Sequence, residues 1–189
     1  SENTLIIFSS DNGPVLNDGY EDQAEELVGS HRPAGIYSGG KYSALEGGTR
    51  VPHIAYWPGT IKPGVSNALC SHVDILASLA ALTGQQLPPG AAQDSRNELD
   101  VLLGRSKKDR DGLLEESYTL SLRKGKWKYI APVEKPRPAW MKGKKIATGL
   151  KTVPQLYDMQ QDPGETHNVA DQHPEVVKAL KAELEKLTK

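Results

Sequence analysis

Asp11 and Asn12 are the first residues in the chain whose types could do chemistry, and they follow the apolar segment 4–9. A carboxylate beside an amide carbonyl offers two hard oxygen ligands of the kind that Ca²⁺ and Mg²⁺ prefer. In open parallel sheets, ligands bind outside the carboxyl ends of strands, which is where this pair would stand. Asp-Asn-Gly is also a common turn sequence, and spacing alone favours a turn over a metal site.

Lys41 is the second candidate, because it lies in a segment with four glycines in ten residues (39–48). Glycines let other groups approach the backbone closely, and an ammonium group can bind a phosphate or sulfate oxyanion. A solvated lysine is the simpler interpretation of Lys41 alone. Glu46 and Arg50 could form a structural ion pair that holds the loop. The Gly–Lys spacing is not that of a phosphate-binding P-loop.

Histidines and the single cysteine give weaker signals. His31 and Arg32 lie in a polar loop that could reach a substrate. His72 and Asp74 stand where a helix is expected to begin, and a capping role fits them best. Cys70 is the one cysteine of the chain, so an intrachain disulfide and a cysteine zinc site are excluded, and we expect its side chain to be buried.

Composition excludes several classes of protein. The 189 residues carry 23 Lys and Arg against 24 Asp and Glu, which gives a net charge of −1. That balance excludes a broadly basic nucleic-acid-binding protein. No apolar run approaches the ~20 residues needed to cross a bilayer. We therefore expect neither a nucleic-acid partner nor a membrane span.

The elements that must position the candidate residues follow the order of an α/β layer fold. Segments 4–9 and 51–57 are strand candidates, and the unbroken apolarity of the first is typical of a parallel strand buried on both faces. Apolar residues at helical spacing predict a helix over 71–83, with Ser71 as its cap and Gly84 at its end.

The C-terminal part has a different pattern. Segments 117–122 and 127–131 alternate around a Lys-Gly turn, which predicts a β-hairpin. A further strand is expected at 155–159. Pro174 then begins a helix with one apolar face. A small antiparallel sheet covered by an amphipathic helix is the resulting prediction.

We therefore predict two parts, an α/β region over residues 1–112 and a small antiparallel sheet with its helix over residues 113–189. Between the hairpin and the last strand lies a basic, Pro-rich stretch, 135–151, which includes Trp140. A solvated loop is the favoured interpretation of this stretch, and a stacking or phosphate-binding role is the alternative.

Several segments, in this order, resemble the carboxyl-terminal part of the type I sulfatases, the arylsulfatase-like branch of the alkaline-phosphatase superfamily. The matching segments are residues 7–14, 39–41, 46–52, 57–59, 61–64, 72–76, 155–158 and 162–168. Each is weak alone, but the ordered set covers nearly the whole chain. The resemblance implies an α/β fold: the C-terminal portion of an alkaline-phosphatase-like sandwich, a small antiparallel sheet and a C-terminal amphipathic helix.

The resemblance also implies a chemistry. Such enzymes use a formylglycine, made from Cys or Ser in a C/S-x-P-x-R motif, whose hydrate attacks sulfur and later collapses to release sulfate. A Ca²⁺ ion holds the sulfate oxygens and the nucleophile as a Lewis acid. By resemblance, Asp11 and Asn12 match late Ca²⁺ ligands, Lys41 matches the lysine that contacts the sulfate, and Glu46 and Arg50 match structural positions.

The chain lacks several parts of the family pattern. It holds no C/S-x-P-x-R motif, and Cys70 does not lie in one. In the family, the nucleophile, the paired aspartates of the metal site and nearby histidines precede the segment matched here. We therefore expect the missing N-terminal segment of the same enzyme to supply the formylglycine and the other Ca²⁺ ligands. The chain alone should be inactive, and the resemblance suggests a periplasmic or secreted protein.

A small-molecule or oligosaccharide sulfate ester is the expected substrate. The long polar segment 15–40 favours a sulfated sugar over an aryl sulfate, with His31 and Arg32 as candidate substrate contacts. One alternative is a metal-dependent phosphodiesterase or phosphatase of the same superfamily, with two transition metals bound by Asp and His. Asp11-Asn12 in place of Asp-His favours one hard ion. The other alternative is a non-catalytic binding or interaction module that uses the small sheet and the basic loop.

Overall fold

A computed structural model describes residues 2–108, 110–134, 139–141 and 146–188. The chain divides into two compact units, each assembled from two stretches of sequence. The first unit comprises Ser1–Ser9 and His53–Leu113, and the second comprises Ser10–Pro52 and Leu114–Lys189. The division into domains 1–112 and 113–189 stays a prediction.

A two-stranded sheet opens the first unit. Strand β1 (Ile6–Ser9) pairs with strand β2 (His53–Tyr56) in an antiparallel ladder, with Ile6 opposite Tyr56. Both strands lie within the predicted segments. The expectation of parallel pairing is wrong for this sheet, because an apolar run reports the surroundings of a strand and not the direction of its partner.

One face of this sheet is exposed in the chain. Its side chains alternate along both strands and form cross-strand pairs, as expected for a pleated sheet. They are 51–61% exposed: Ile6, Phe8, Ile54 and Tyr56. The expectation that β1 is buried on both faces is therefore also wrong for the chain by itself.

Helix α3 (Asp74–Leu82) follows in the first unit and is held at its start by a buried carboxylate. Asp74 accepts hydrogen bonds from the backbone N–H groups of Ser71, at 3.2 Å, and Arg96, at 2.9 Å. The guanidinium of Arg110 forms an ion pair with the same carboxylate. The prediction that Ser71 caps the helix with its side chain is wrong, because Asp74 supplies the acceptor and Ser71 the donor.

Two smaller features complete this unit. The short helix α4 (Leu99–Leu102) is tied to α3 where Ser78 Oγ accepts a hydrogen bond from the backbone N–H of Glu98, at 2.9 Å. The side chain of Cys70 is exposed, so its expected burial is wrong.

A four-stranded sheet forms the centre of the second unit. Its strands lie side by side in chain order: β3 (Leu113–Glu116), β4 (Leu120–Lys124), β5 (Trp127–Ile130) and β6 (Gln155–Asp158). Strand β5 is antiparallel to both of its neighbours, β4 and β6. The predicted hairpin and the strand after it are confirmed, whereas β3 was not foreseen because its alternation lasts only four residues.

Helix α5 (Pro174–Leu187) covers one face of this sheet, as predicted from its apolar stripe. Pro174 lies in its first turn, where the missing N–H costs nothing. The core beneath it consists of aliphatic and aromatic side chains from three strands and the helix: Leu122, Tyr129, Leu156, Ala170, Leu180 and Leu184. The first three lie opposite one another across the ladder.

The other face of the sheet packs against the glycine-rich segment. A second apolar cluster there contains Ala44, Leu45, Ile130 and Tyr157. The same unit includes two short helices, α1 (Ala24–Leu27) and α2 (Glu46–Thr49). Among the described residues, no helix is both long and apolar enough to cross a membrane. Residues 135–138 and 142–145 of the basic stretch lie outside the described part of the chain.

Candidate functional site

The segment after Asn12 and the segment around Lys41 are joined by backbone hydrogen bonds within the second unit. The N–H of Gly13 donates to the carbonyl of Gly48 at 3.0 Å, and the N–H of Lys41 donates to the carbonyl of Pro14 at 2.9 Å. The turn that carries Asp11 and Asn12 is thus held against both ends of the glycine-rich segment.

Glycines make this close approach possible. A Cβ atom at Gly13 would lie 1.7 Å from the carbonyl oxygen of Gly47, and one at Gly40 would lie 2.5 Å from that of Pro14. A Cβ at Gly48 would lie 2.2 Å from the carbonyl oxygen of Ser43. These glycines therefore face the chain's own backbone. We call the contact of residues 13–14 with 39–48 the glycine junction.

The side-chain oxygen atoms of Asp11 and Asn12 have no hydrogen-bond donor among the described residues, whereas the backbone carbonyl of Asn12 accepts a hydrogen bond from Ser10 Oγ at 3.1 Å. Asn12 Nδ2 donates to the carbonyl of Gly13 at 2.9 Å, which fixes the orientation of the amide. Within the described part of the chain, neither the carboxylate of Asp11 nor Oδ1 of Asn12 takes a hydrogen bond or ion pair. No group of three or more His, Cys, Asp or Glu side chains that could hold a metal occurs among the described residues. The pair offers two hard oxygen ligands and no more.

Lys41 is half-buried and its charge is not neutralised by a carboxylate within the described residues. Its Nζ lies 5.5 Å from the centroid of the Tyr42 ring, in cation–π range. His31 and Arg32 are exposed loop residues, and no described contact joins them to Lys41 or Asp11. The roles predicted for these residues stay predictions.

A buried ion cluster supports the glycine junction from the sheet side. Lys128 on β5 is fully buried, and its Nζ lies 3.0 Å from Glu46, 3.1 Å from Glu115 and 3.6 Å from Glu165. One ammonium group therefore joins α2, β3, β5 and the segment after β6. We call these four residues the Lys128 cluster.

Glu46 is surrounded by cations. Burial raises its pKa, but the charges of Lys128, Arg123 and Arg50 outweigh burial and hold the pKa below its usual value. The ion pair predicted between Glu46 and Arg50 is present, at 3.6 Å, although Arg50 is half exposed. Lys128 is the closer partner of Glu46, so the main support comes from a residue 82 positions away.

Glu165 differs from Glu46 within the same cluster. Its Oε2 accepts a hydrogen bond from the backbone N–H of Glu46 at 2.6 Å. Burial raises the pKa of Glu165 to about 7, the charges of Glu46 and Glu115 add to this, and Lys128 opposes it. Burial disfavours the charge of Lys128, but the carboxylates of Glu115, Glu46 and Glu165 raise the pKa of Lys128 above its ordinary value.

Sequence analysis missed Lys128, although the chain carries a signal for it. Lys128 and Ile130 are two apart on β5 and therefore point to the same face of the sheet. Ile130 belongs to the buried apolar cluster on that face. A lysine at an inward position needs carboxylate partners, because an unpaired buried charge is very costly.

The geometry can be compared with known proteins. A family model described as Sulfatase matches residues 1–85. An N-acetylgalactosamine-6-O-sulfatase of Bacteroides thetaiotaomicron is 50% identical over 187 residues, which are 98% of this chain and 36% of that protein. The chain belongs to the sulfatase family. Arylsulfatase A of Homo sapiens is 35% identical to this sulfatase sequence over 196 residues, 95% of the chain and 37% of the relative.

Solved structures give the same result for the fold. A Bacteroides thetaiotaomicron structure, described under the metabolism of multiple glycosaminoglycans, superposes on this sulfatase chain with a TM-score of 0.93 at 50% identity. The match covers 98% of the chain and 39% of that structure. The expected sulfatase-type α/β fold is confirmed. The chain spans little more than a third of the length of these relatives.

The glycine junction generates a first prediction. Gly13→Ala should destabilise the protein by about 1–3 kcal/mol or more, because the new methyl group would overlap the backbone of Gly47. Gly64→Ala is the matched control, since a Cβ there meets nothing within 4 Å. Denaturant unfolding measures both. Equal stability of the two variants would show that the junction is not packed as described.

The Lys128 cluster generates a second prediction. Lys128→Met should lower the free energy of unfolding by about 3–5 kcal/mol, because it leaves three carboxylates buried without their common cation. Lys126→Met, which breaks the exposed pair with Asp158, should have a much smaller effect. The measurement is chemical denaturation of both variants, and similar losses would contradict this role of burial.

The raised pKa of Glu165 generates a third prediction. The folded state binds this proton more tightly than the unfolded state, whose pKa is near 4.5. The stability that the group contributes is therefore fully present below pH 4.5 and is lost as the pH rises to about 7. Unfolding of the wild type and of Glu165→Gln should be compared from pH 4 to 8.

The difference in free energy of unfolding, wild type minus Glu165→Gln, should fall between pH 4.5 and 7 and stay level above that range. Glu116→Gln removes an exposed carboxylate from β3 and serves as the control. A difference for Glu165→Gln that stays constant with pH would show that Glu165 titrates in the folded state as it does in the unfolded state.

Proposed function

We propose that the protein to which this chain belongs hydrolyses sulfate esters of carbohydrates, with Asp11, Asn12 and Lys41 on one side of its active site. Membership of the sulfatase family supports the reaction class. The backbone hydrogen bond from Lys41 to Pro14 carries the assignment of the site, because it holds the cation-bearing residue beside the turn of oxygen ligands.

The donor set fits a hard divalent cation. The carboxylate of Asp11 and the amide oxygen of Asn12 are the right atoms for Ca²⁺, and neither is occupied by another described group. Since Ca²⁺ takes 6–8 oxygen ligands, we propose that the remaining segment of the enzyme supplies further ligands. When bound, Ca²⁺ supplies a Lewis acid and a formylglycine hydrate supplies the nucleophile for sulfate-ester hydrolysis.

Lys41 binds a sulfate oxygen in this proposal. Its ammonium group offsets the negative charge that develops as the S–O bond to the alcohol breaks. Partial burial strengthens that electrostatic interaction, because fewer water molecules screen it. The glycine junction contributes by fixing the backbone of Lys41, so that the charge is in place before the substrate arrives.

We propose that the remaining segment of the same enzyme is the partner of this chain. The relatives are nearly three times as long as the part matched here. An isolated two-stranded sheet is only marginally stable, and β1 and β2 expose one apolar face. A covering layer from the rest of the enzyme would bury that face. Because that segment also supplies the formylglycine in this proposal, the chain by itself would be inactive.

Sulfated amino sugars are the proposed substrate class. The relative that shares 50% identity over nearly the whole chain is an N-acetylgalactosamine-6-O-sulfatase. We therefore propose 6-O-sulfated N-acetylgalactosamine units as the substrate. His31 and Arg32, exposed in the loop after α1, are proposed contacts to hydroxyl or sulfate groups of the sugar.

The test uses the full-length enzyme with its formylglycine installed. It should release sulfate from 6-O-sulfated N-acetylgalactosamine faster than from the 4-O-sulfated isomer. Lys41→Ala should lower kcat/KM by about 100-fold or more, the usual loss for one charge-stabilising group. Lys62→Ala, an exposed lysine of the first unit, is the control. Full activity of Lys41→Ala would overturn the role of Lys41.

Three further measurements complete this experiment. The isolated chain should not hydrolyse a chromogenic aryl sulfate, and turnover above that of its Lys41→Ala variant would contradict the shared active site. Metal analysis should find Ca²⁺, whereas two transition metals would favour a phosphodiesterase. His31→Ala should change sugar preference more than aryl-sulfate turnover, and equal losses would exclude His31 as a specificity residue.

A further inference from the structure

Three aromatic side chains meet beside Lys41 in the second unit. The rings of Tyr42 and Trp140 form an edge-to-face pair, with centroids 4.7 Å apart and planes at 78°. The ring of Tyr118 also lies beside Trp140, and the two ring centroids are 6.0 Å apart. We call these three residues the aromatic cluster. They come from three distant parts of the sequence.

The aromatic cluster is open to solvent. Trp140 is 46% exposed and Tyr118 is 50% exposed. In an edge-to-face pair, one ring contributes only its edge, so this contact covers neither of that ring's faces. The next residue, Met141, is 1% exposed and fixes the short 3₁₀ turn to the protein. The indole is therefore presented outward on a turn that is itself secured.

Two of the three residues have an unfavourable backbone conformation. The φ angle is 75° at Tyr42 and 57° at Tyr118, in the left-handed region that bulky residues rarely adopt. Local hydrogen bonds enforce both: Ser43 N–H to the carbonyl of Gly40, and Ser117 N–H to the carbonyl of Thr119. Strain of this kind persists where the surroundings impose it, and it concentrates at functional sites.

We propose that the aromatic cluster is a stacking surface for the sugar ring that carries the sulfate ester. The inference rests on the proposed function. Lys41 Nζ lies 5.5 Å from the Tyr42 ring, so the cation and the stacking surface are neighbours. In a sulfated sugar, an anion and an apolar C–H face are likewise separated by only a few covalent bonds. Aromatic faces with a few polar groups are typical of such ligand sites.

The test measures sugar binding and sulfate binding separately in the full-length enzyme. Trp140→Ala and Tyr118→Ala should raise KM for a 6-O-sulfated disaccharide about tenfold, the loss expected for one aromatic contact, with kcat little changed. Inhibition by inorganic sulfate should be unaltered, because the anion needs Lys41 and not the rings. Trp140→Phe should restore most of the affinity.

Tyr20→Ala is the matched control, since Tyr20 is 80% exposed in the same unit. Unchanged KM in both alanine variants, with wild-type thermal stability, would overturn the inference and leave the proposed function standing. Should Trp140→Ala fail to fold, Tyr118→Ala carries the test.

Failure of the proposed function would look different: the wild type would release sulfate from no ester. Binding of the desulfated disaccharide, followed by tryptophan fluorescence, then decides the inference independently. Quenching that is lost in Trp140→Phe and Tyr118→Ala supports a stacking surface. A signal that is absent in the wild type, or equal in all variants, overturns it.

Discussion

A single buried ammonium group is the constraint on which the second unit depends. Lys128 has no access to water, and an uncompensated charge in such a place would be very costly. Its three carboxylate partners, Glu46, Glu115 and Glu165, come from separate segments of the chain. All of these segments must be in place before the three ion pairs can form. The cluster thus specifies one arrangement of the sheet and the glycine-rich segment.

The constraint extends from the cluster to the candidate site through consecutive contacts. Glu46 is the first residue of α2, and the two glycines that follow pack against the backbone of Gly13. In the same glycine-rich segment, the backbone N–H of Lys41 donates a hydrogen bond to the carbonyl of Pro14. Each contact is a backbone approach that a side chain would prevent. Packing therefore fixes the backbone of Lys41, the residue that carries the proposed sulfate-binding cation.

Charge and burial are divided unequally among the three glutamates, and this fits the structural role. The cations around Glu46 hold its pKa below the usual value, whereas burial raises the pKa of Glu165 to about 7. A cluster with Lys128, Arg123 and Arg50 against three carboxylates comes close to neutrality whichever form Glu165 takes. A direct cross-strand pair of cations, Arg123 opposite Lys128, is tolerated for the same reason.

The sequence by itself determined the local elements and the family. Strands β1 and β2, the hairpin and helix α5 all follow from short-range periodicity and turn residues, which depend on neighbours in the chain. Ordered short motifs were enough for the sulfatase resemblance, because their residue types are set by shared chemistry. Antiparallel pairing of β1 with β2, the exposure of Cys70 and the ion pair of Asp74 with Arg110 were not predictable in this way.

Only the tertiary structure revealed the Lys128 cluster, the glycine junction and the aromatic cluster. Lys128 and Glu46 are 82 positions apart, and Tyr42, Tyr118 and Trp140 are also distant in sequence. The neighbouring residues in the sequence do not indicate which distant side chain each of these residues will contact. Such pairings are decided when the whole unit packs, because burial of one group is favourable only if its distant partners are buried with it.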